Sequence, residues 1–397
     1  MLVWAGRALV ALVSAAVVAA AGFGWYTYRT ADQDVVRDDV IAAGQPDDPV
    51  HLPSTRDLPR TEQTILLVGL DSRTDTHGDP LPQDVLDALR AGEADGEQNT
   101  DTMVVVHIPA DPEKKAFALS LPRDSYVDIP GGFGTHKLNS AYARGKNDAA
   151  ATLRAGGADD ATVERQSTTE GRKTLIAAVS ALTGLTIDHY AEIGLYGFSE
   201  LTKAVGGVPV CLNERVRDSY SGADFPAGRQ TLQGVNALKF VRQRHGLPGG
   251  DLDRVRRQQA FLAGVAHQVF SSGTLTSPTR ISAMVDALTR SVVLDEDWDL
   301  MTFASQLATL TGDDIEFSTI PTGSIDLRTP SDGSAVEVDP AQVRAYVQNL
   351  LTGPPPSTTG DAGTGKATVN SGKVVVRKVA QESSERPITA GGIPCVN

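Results

Sequence analysis

The stretch Thr64–Gly69 (TILLVG) is almost continuously apolar and closes on Leu70-Asp71-Ser72-Arg73. A short apolar run ended by polar residues fits a strand buried on both faces. Met103–Ile108 (MVVVHI) and Lys115–Leu121 (KAFALSL) flank Pro109-Ala110-Asp111-Pro112, which reads as a hairpin. Three predicted strands then carry Asp71, Asp101 and Arg123 at their ends. Residues 74–100 are polar, with one short helical candidate at Gln83–Arg90, and read as a surface insertion. Further strand candidates fall at His189–Ile193, Val208–Leu212 and Ile315–Ile320. Helical periodicity marks Lys173–Leu182, Phe198–Val205, Leu252–Phe270, Pro278–Thr289, Leu300–Leu310 and Pro340–Leu351. On the third of these, Val255, Leu262, Ala266 and Val269 share one face. The alternation of strands and helices points to an α/β or α+β fold.

The N-terminal pattern differs in kind. Ala8–Tyr26 carries no charge across nineteen residues, which at 1.5 Å per helical residue spans about 29 Å, close to the thickness of a bilayer core. A transmembrane helix over 8–28 is predicted, after a cytoplasmic tail of residues 1–7, with Trp25, Tyr26 and Tyr28 at the far interface. The alternative is a cleaved signal peptide, with Ala19 and Ala21 forming an A-x-A-like site. Both readings export the rest of the chain; the first makes the protein single-pass in the cell membrane with an extracytoplasmic domain. A stalk over 29–60, a catalytic domain over 61–352, a Pro/Gly/Thr linker over 353–366 and a tail over 367–397 follow. In an exported chain, Cys211 and Cys395 are expected to form a disulfide that ties the tail back; two unrelated thiols are the alternative.

Charge sharpens the picture. With 36 Lys+Arg against 49 Asp+Glu, the net charge of −13 argues against a partner such as nucleic acid, which needs an overall positive field. Any anion site must be local, and the segment Lys239–Gln258 (KFVRQRHGLPGGDLDRVRRQ) supplies one, with six basic residues against two acidic. Arg242 and Arg244, two apart, project from one side of an extended stretch. Arg254 and Gln258, four apart, share a helical face, with Arg257 farther round and Arg256 turned away. The guanidinium fork suits a diphosphate because it donates two parallel hydrogen bonds and keeps its charge when desolvated. A solvated helix face, ion-paired to Asp251 and Asp253, is the plainer alternative. Asp71 and Asp101 are hard oxygen ligands suited to Mg²⁺, or Mn²⁺, unless they merely cap turns. The Walker-like Gly360, Gly365 and Lys366 have Ala367 where a Ser or Thr would hold magnesium, and no strand leads in. Seven histidines scattered along the chain give no zinc spacing.

Seven segments occur together in order: LLVGLDSR (66–73), DTMVVVHIP (101–109), ALSLPRDSYVDIPG (118–131), HKLNSAY (136–142), DHYAEIGLYGF (188–198), GGVPVCL (206–212) and LQGVNALKFVRQRHGLPGGDLDRVRRQQ (232–259). In these the chain resembles the LytR-CpsA-Psr family of cell-wall glycopolymer ligases, in its actinobacterial form. The resemblance implies an α/β fold, a central mixed sheet between helices with an apolar tunnel for a lipid tail. It also implies an Mg²⁺-dependent transferase that moves a glycopolymer from a polyprenyl-diphosphate carrier to a peptidoglycan hydroxyl, forming a phosphodiester. Arg73, Arg123, Arg242, Arg244, Arg254 and Gln258 match the family's diphosphate ligands, Asp71 and Asp101 its metal ligands, and Lys137 and Asn139 a further motif. Arg257 and Lys137 join the diphosphate set as candidates. Relative to the family, 74–100 and about 143–172 read as long insertions. A pyrophosphatase using water as acceptor, or a membrane-tethered glycan- or lipid-binding regulator without turnover, are the alternative functions.

Overall fold

Burial alternates along the central strands and divides the molecule into layers. Ile65 and Val104 face one core; Leu66, Val68, Met103 and Val105 face another. Adjacent residues of a strand point to opposite faces, so a strand apolar on both sides must be covered on both. The computed structural model describes residues 35–41, 61–74, 80–89, 99–247, 250–271, 291–299, 303, 306, 310, 314–352 and 388–397. The expected transmembrane helix, most of the stalk, the helix at 278–289, most of 300–310, the linker and the tail as far as 387 lie outside these residues. Among the described residues, no helix is long and apolar enough to cross a membrane.

Eight strands make one sheet, in the spatial order Val36–Asp38, Val292–Asp295, His189–Gly194, Gln63–Leu70, Thr100–Ile108, Ala116–Ser120, Ile315–Thr319 and Ile388–Thr389. The sheet is mixed: Gln63–Leu70 runs parallel to His189–Gly194 and antiparallel to Thr100–Ile108, and Ala116–Ser120 runs parallel to Ile315–Thr319. Helices Asp160–Thr183 and Pro340–Thr352 cover one face through Leu175, Val179, Leu182, Val343 and Val347. Helices Val235–Arg242 and Asp251–Ser271 cover the other through Phe240, Ala260, Phe261 and Ala263. This is the α/β architecture, a mixed sheet between helices, that the resemblance implied.

Three expectations need correcting. The helix expected at Lys173–Leu182 starts earlier, within the region 143–172 that read as an insertion: helix Ala141–Ala155 pairs with Asp160–Thr183 as a hairpin, and Val163, Ser167 and Arg172 are buried. The segment after residue 74 is more than surface, because helix Gln83–Leu89 buries Leu86 against Leu195 and Leu238. On helix Asp251–Ser271 the deepest residues are Arg254, Val255, Arg257, Ala260, Phe261 and Ala263, while Leu262 and Ala266 are half-buried. The helix is gripped on two sides, by the sheet and by the Val208–Leu212 strand, so its buried arc is wider than one apolar stripe and includes charged positions.

Both chain extremities of the described region are sewn in. Arg37 donates to the carbonyls of Asp295 (3.3 Å), Glu296 (3.0 Å) and Trp298 (3.1 Å). Cys395 pairs with Cys211 in a disulfide that closes a separation of 184 residues, and Cys395–Val396 adds a parallel strand to Val208–Leu212. Replacing Cys395 by Ser is expected to lower stability by about 2–5 kcal/mol, as a lower midpoint in denaturant unfolding under oxidising conditions. The effect should vanish when wild type is measured in reductant.

Candidate functional site

The three strands that the sequence ends in Asp71, Asp101 and Arg123 deliver all three to one end of the sheet. Leu70 pairs with Thr100 after a bulge at Gly69, and the Asp71 amide donates to the Asn99 carbonyl at 2.9 Å. Arg123 follows Ala116–Ser120 and donates to Asp101 in a short ion pair. Its other neighbour is Asp124, 3.6 Å from Nε. The Arg123 carbonyl accepts from the Asn139 amide at 3.0 Å, so the HKLN segment braces the loop that carries Arg123. Lys137 ends the Gly134–Lys137 strand, and its Nζ lies 3.3 Å from Asp124.

The basic segment closes the other side. Helix Val235–Arg242 ends at Arg242, 3.8 Å from Asp71. Two residues on, Arg244 lies 4.0 Å from Asp124 and 3.8 Å from Asp251. Arg254, only 2% exposed, pairs with Asp251 at 2.7 Å. Asp251 was foreseen only as a surface partner, Asp124 not at all; both are the cluster's internal counter-charges. Gln259 was also missed: its Nε2 donates to Ser120 Oγ (3.1 Å), the Ser318 carbonyl (2.8 Å) and Thr319 Oγ1 (2.8 Å), pinning the helix to the strand ends.

Arg123, Asp124, Lys137, Arg244 and Asp251 line a cleft of about 540 Å³, whose remaining wall includes Leu247, Leu252, Ile325 and Val336. Ile325 is one of two large apolar side chains among the described residues that are exposed, and it lies on this wall. The cluster holds six cationic side chains, Arg73, Arg123, Lys137, Arg242, Arg244 and Arg254, linked to four carboxylates, Asp71, Asp101, Asp124 and Asp251. It is net positive within a chain of net charge −13. Burial pushes the Asp71 carboxyl up; Arg242 pulls it down, and Asp101 pushes it up again. Burial also depresses the Arg254 guanidinium, against the pull of Asp251. For Arg123 the balance goes the other way: burial lowers it, but Asp101 and Asp124 outweigh this and hold the charge in place.

Buried polar atoms are normally satisfied, yet Asp71 Oδ1, Arg123 Nε, Arg254 Nε and both Asp251 oxygens are buried here without a hydrogen bond. Of these residues, Arg123 and Asp251 line the cleft itself. A divalent cation fits the carboxylates: Asp71 has a buried oxygen without a hydrogen bond, and Asp101 raises its pKa as a like charge does. Among the described residues no group of three or more His, Cys, Asp or Glu forms a ready metal cage, so any such ion would complete its shell with water and ligand oxygens, as Mg²⁺ does.

Arg257 is not brought to the cleft. Fully buried, it donates to the Asn397 carbonyl at 2.6 Å and to Gln243 Oε1, and its guanidinium sits 5.1 Å over the Phe240 ring. On the helix it lies about 60° round from Arg254, on the side away from Gln258. Gln258 is half-buried, with Nε2 at 3.4 Å from the Val241 carbonyl.

The LytR_cpsA_psr family model matches residues 27–348. Cell wall biosynthesis protein LcpA of Corynebacterium glutamicum is 50% identical over 288 residues, 72% of this chain and 55% of that protein. The polyisoprenyl-teichoic acid–peptidoglycan teichoic acid transferase TagU of Enterococcus faecalis is 29% identical over 238 residues, 60% of this chain and 63% of that one. The chain thus spans about half the length of the Corynebacterium relative. The crystal structure of TagV from B. subtilis superposes with a TM-score of 0.52 at 21% identity, over 75% of this chain and 100% of that one, a likeness of fold.

Proposed function

The chain belongs to the LytR_cpsA_psr family, and from that premise we propose that it is a transferase that joins a glycopolymer, carried on a polyprenyl diphosphate, to peptidoglycan. The observation that carries this reading is the net-positive, hydrogen-bond-hungry cluster at the mouth of a cleft with one apolar wall. A diphosphate ester of a lipid has both properties such a site would recognise. The names of the relatives, a cell wall biosynthesis protein and a teichoic acid transferase, support the same reading.

In this proposal Arg123, Arg242, Arg244 and Arg254 hold the diphosphate oxygens, with Arg73 and Lys137 at the periphery. A sugar hydroxyl attacks the polymer-side phosphorus: the new O–P bond forms, the bridging P–O bond breaks, polyprenyl phosphate departs with the electron pair, and the hydroxyl proton passes to water. Charge on the non-bridging oxygens and the departing phosphate meets fixed guanidinium groups that need no reorganisation. Asp71 and Asp101 would hold Mg²⁺, which when bound supplies charge neutralisation at the diphosphate. The ion pairs of the arginines with Asp101, Asp124 and Asp251 keep the forks oriented before the anion arrives. Residues 8–28, as a membrane span, would keep the domain on the outer side of the cell membrane, where carrier and acceptor meet.

The test offers the full chain, in detergent, a polyprenyl-diphosphate-linked oligosaccharide and peptidoglycan with Mg²⁺. Mass spectrometry of the digested wall is expected to find the oligosaccharide attached through a phosphodiester. Release of phosphate with no sugar joined would make it a hydrolase; carrier binding with neither product would make it a regulator.

A further inference from the structure

The arginine that left the cleft has a place in the site's construction. Arg257 touches two separate pieces of chain, the end of helix Val235–Arg242 and the segment at Asn397. Its Nε donates to the Asn397 carbonyl at 2.6 Å, its NH1 donates to Gln243 Oε1, and its plane lies over Phe240. Asn397 is delivered there by the strand that the disulfide locks: Cys395 pairs with Cys211, and the Val396 carbonyl accepts from the Asn213 amide at 2.9 Å. Gln243 stands between Arg242 and Arg244 in sequence and is 1% exposed. Its amide is held at both ends, since Nε2 donates to the His245 carbonyl at 3.2 Å while Oε1 accepts from Arg257. At Gln243 the backbone leaves the helix for an extended conformation, φ −59° and ψ 133°, so this residue sets the direction in which Arg244 departs. The neighbouring Gln258 adds a contact to the Val241 carbonyl.

We propose that Arg257 is a positioning residue: through Gln243 it fixes the loop carrying Arg242 and Arg244, and the C-terminal segment at Asn397 completes its grip. The inference rests on the diphosphate-binding reading above. A charge-assisted hydrogen bond to a buried amide is stronger than a neutral one and imposes direction. A guanidinium that is fully buried without contact to the cleft has little other physical use, given the desolvation it bears. The same logic makes the tail part of the site's support although none of its described residues, 388–397, lines the cleft.

The experiment is a double-mutant cycle read by inorganic pyrophosphate binding, using calorimetry on the full chain. Wild type is measured first; if it binds no pyrophosphate, the diphosphate reading fails and the cycle is not reached. Arg257→Ala strips the tail and Phe240 of a partner and is expected to lower the melting temperature as well. Gln243→Ala keeps the Arg257–Asn397 contact and therefore carries the test. Gln243→Ala is expected to weaken pyrophosphate about tenfold in the wild-type background and less than about twofold when Arg242 and Arg244 are already Ala, because coupled residues are not additive. In polymer transfer the same variant should raise KM for the carrier more than it lowers kcat. Arg257→Lys, which keeps the charge but loses the fork, should recover less than half of the lost affinity. Equal weakening in both backgrounds, or pyrophosphate affinity unchanged in folded Gln243→Ala, would overturn the proposal.

Discussion

Arg123→Ala is expected to cut polymer transfer by about 10²–10³-fold, the size seen when a preorganised donor to a developing oxyanion is removed. The reason lies in its position. Arg123 leaves the end of a central strand, pairs with Asp101 and Asp124, and lines the cleft beside Lys137 and Arg244. Its loss removes a guanidinium from the diphosphate and leaves two carboxylates facing the space where an anion should bind. Arg123→Lys should restore only part of the rate, since an ammonium cannot donate in parallel to two oxygens. The fold should survive, because the loop's backbone bond to Asn139 remains. Initial transfer rates against carrier concentration, with circular dichroism on the same samples, check both statements. A folded Arg123→Ala enzyme within threefold of wild type would remove this residue from the chemistry.

The largest loss of stability is expected at Arg172. Its guanidinium donates to both oxygens of Glu192, at 3.0 and 2.8 Å, and to Asp38 of the edge strand, and Tyr190 adds a 2.6 Å bond to Glu192. Arg172, Glu192 and Tyr190 are buried and Asp38 is half-buried. Breaking a buried pair from one side strands the other charge, so Arg172→Ala should cost about 3–5 kcal/mol in denaturant unfolding near pH 7.5. The pH dependence follows from Glu192. Burial alone would raise its pKa, but Arg172 outweighs burial and holds the carboxyl below its ordinary range. Glu192 in wild type therefore contributes stability that is present above the ordinary Glu pKa and lost as pH falls through the lowered one. Without Arg172 the carboxyl is pushed up instead, and acid relieves the variant by protonating it. The gap between the two proteins should narrow at pH 4.5; a gap that widens there would contradict the assignment of the cost to an unpaired Glu192.

Much of the fold was legible because its strands are dense. TILLVG and MVVVHI admit few readings other than buried strands, and once they pair, Asp71, Asp101 and Arg123 must fall at one end. Of the helical hairpin at 141–183 only Lys173–Leu182 was legible, for a physical reason. Its two helices meet through small residues in place of an apolar stripe: a Cβ on Gly145 would come 2.1 Å from Thr174 Oγ1, and one on Gly171 would come 2.8 Å from the Tyr142 carbonyl. Close approach of backbones leaves little hydrophobic periodicity to count before Lys173. Arginine count, likewise, did not reveal direction. Projection at 100° per residue put Arg254, Arg257 and Gln258 on neighbouring parts of one helix, but which of them meets the cleft depends on a distant loop at Gln243 and on residue 397. The four-stranded rim built from Ser125–Ile129, Gly134–Lys137, Leu327–Arg328 and Ser334–Glu337 was unforeseen too, since the pairing that unites it, Val336 with Ser125, joins segments about 200 residues apart.

The central sheet ends on one side in Val36–Asp38 and on the other in Ile388–Thr389, each only a few residues long and each far in sequence from the strand it covers. These short covers stop the unpaired amides and carbonyls of longer strands from recruiting another molecule. A chain nicked by protease between 353 and 387 and freed of its disulfide would uncap Ile315–Thr319, and the product to look for is a strand-exchanged dimer or aggregate.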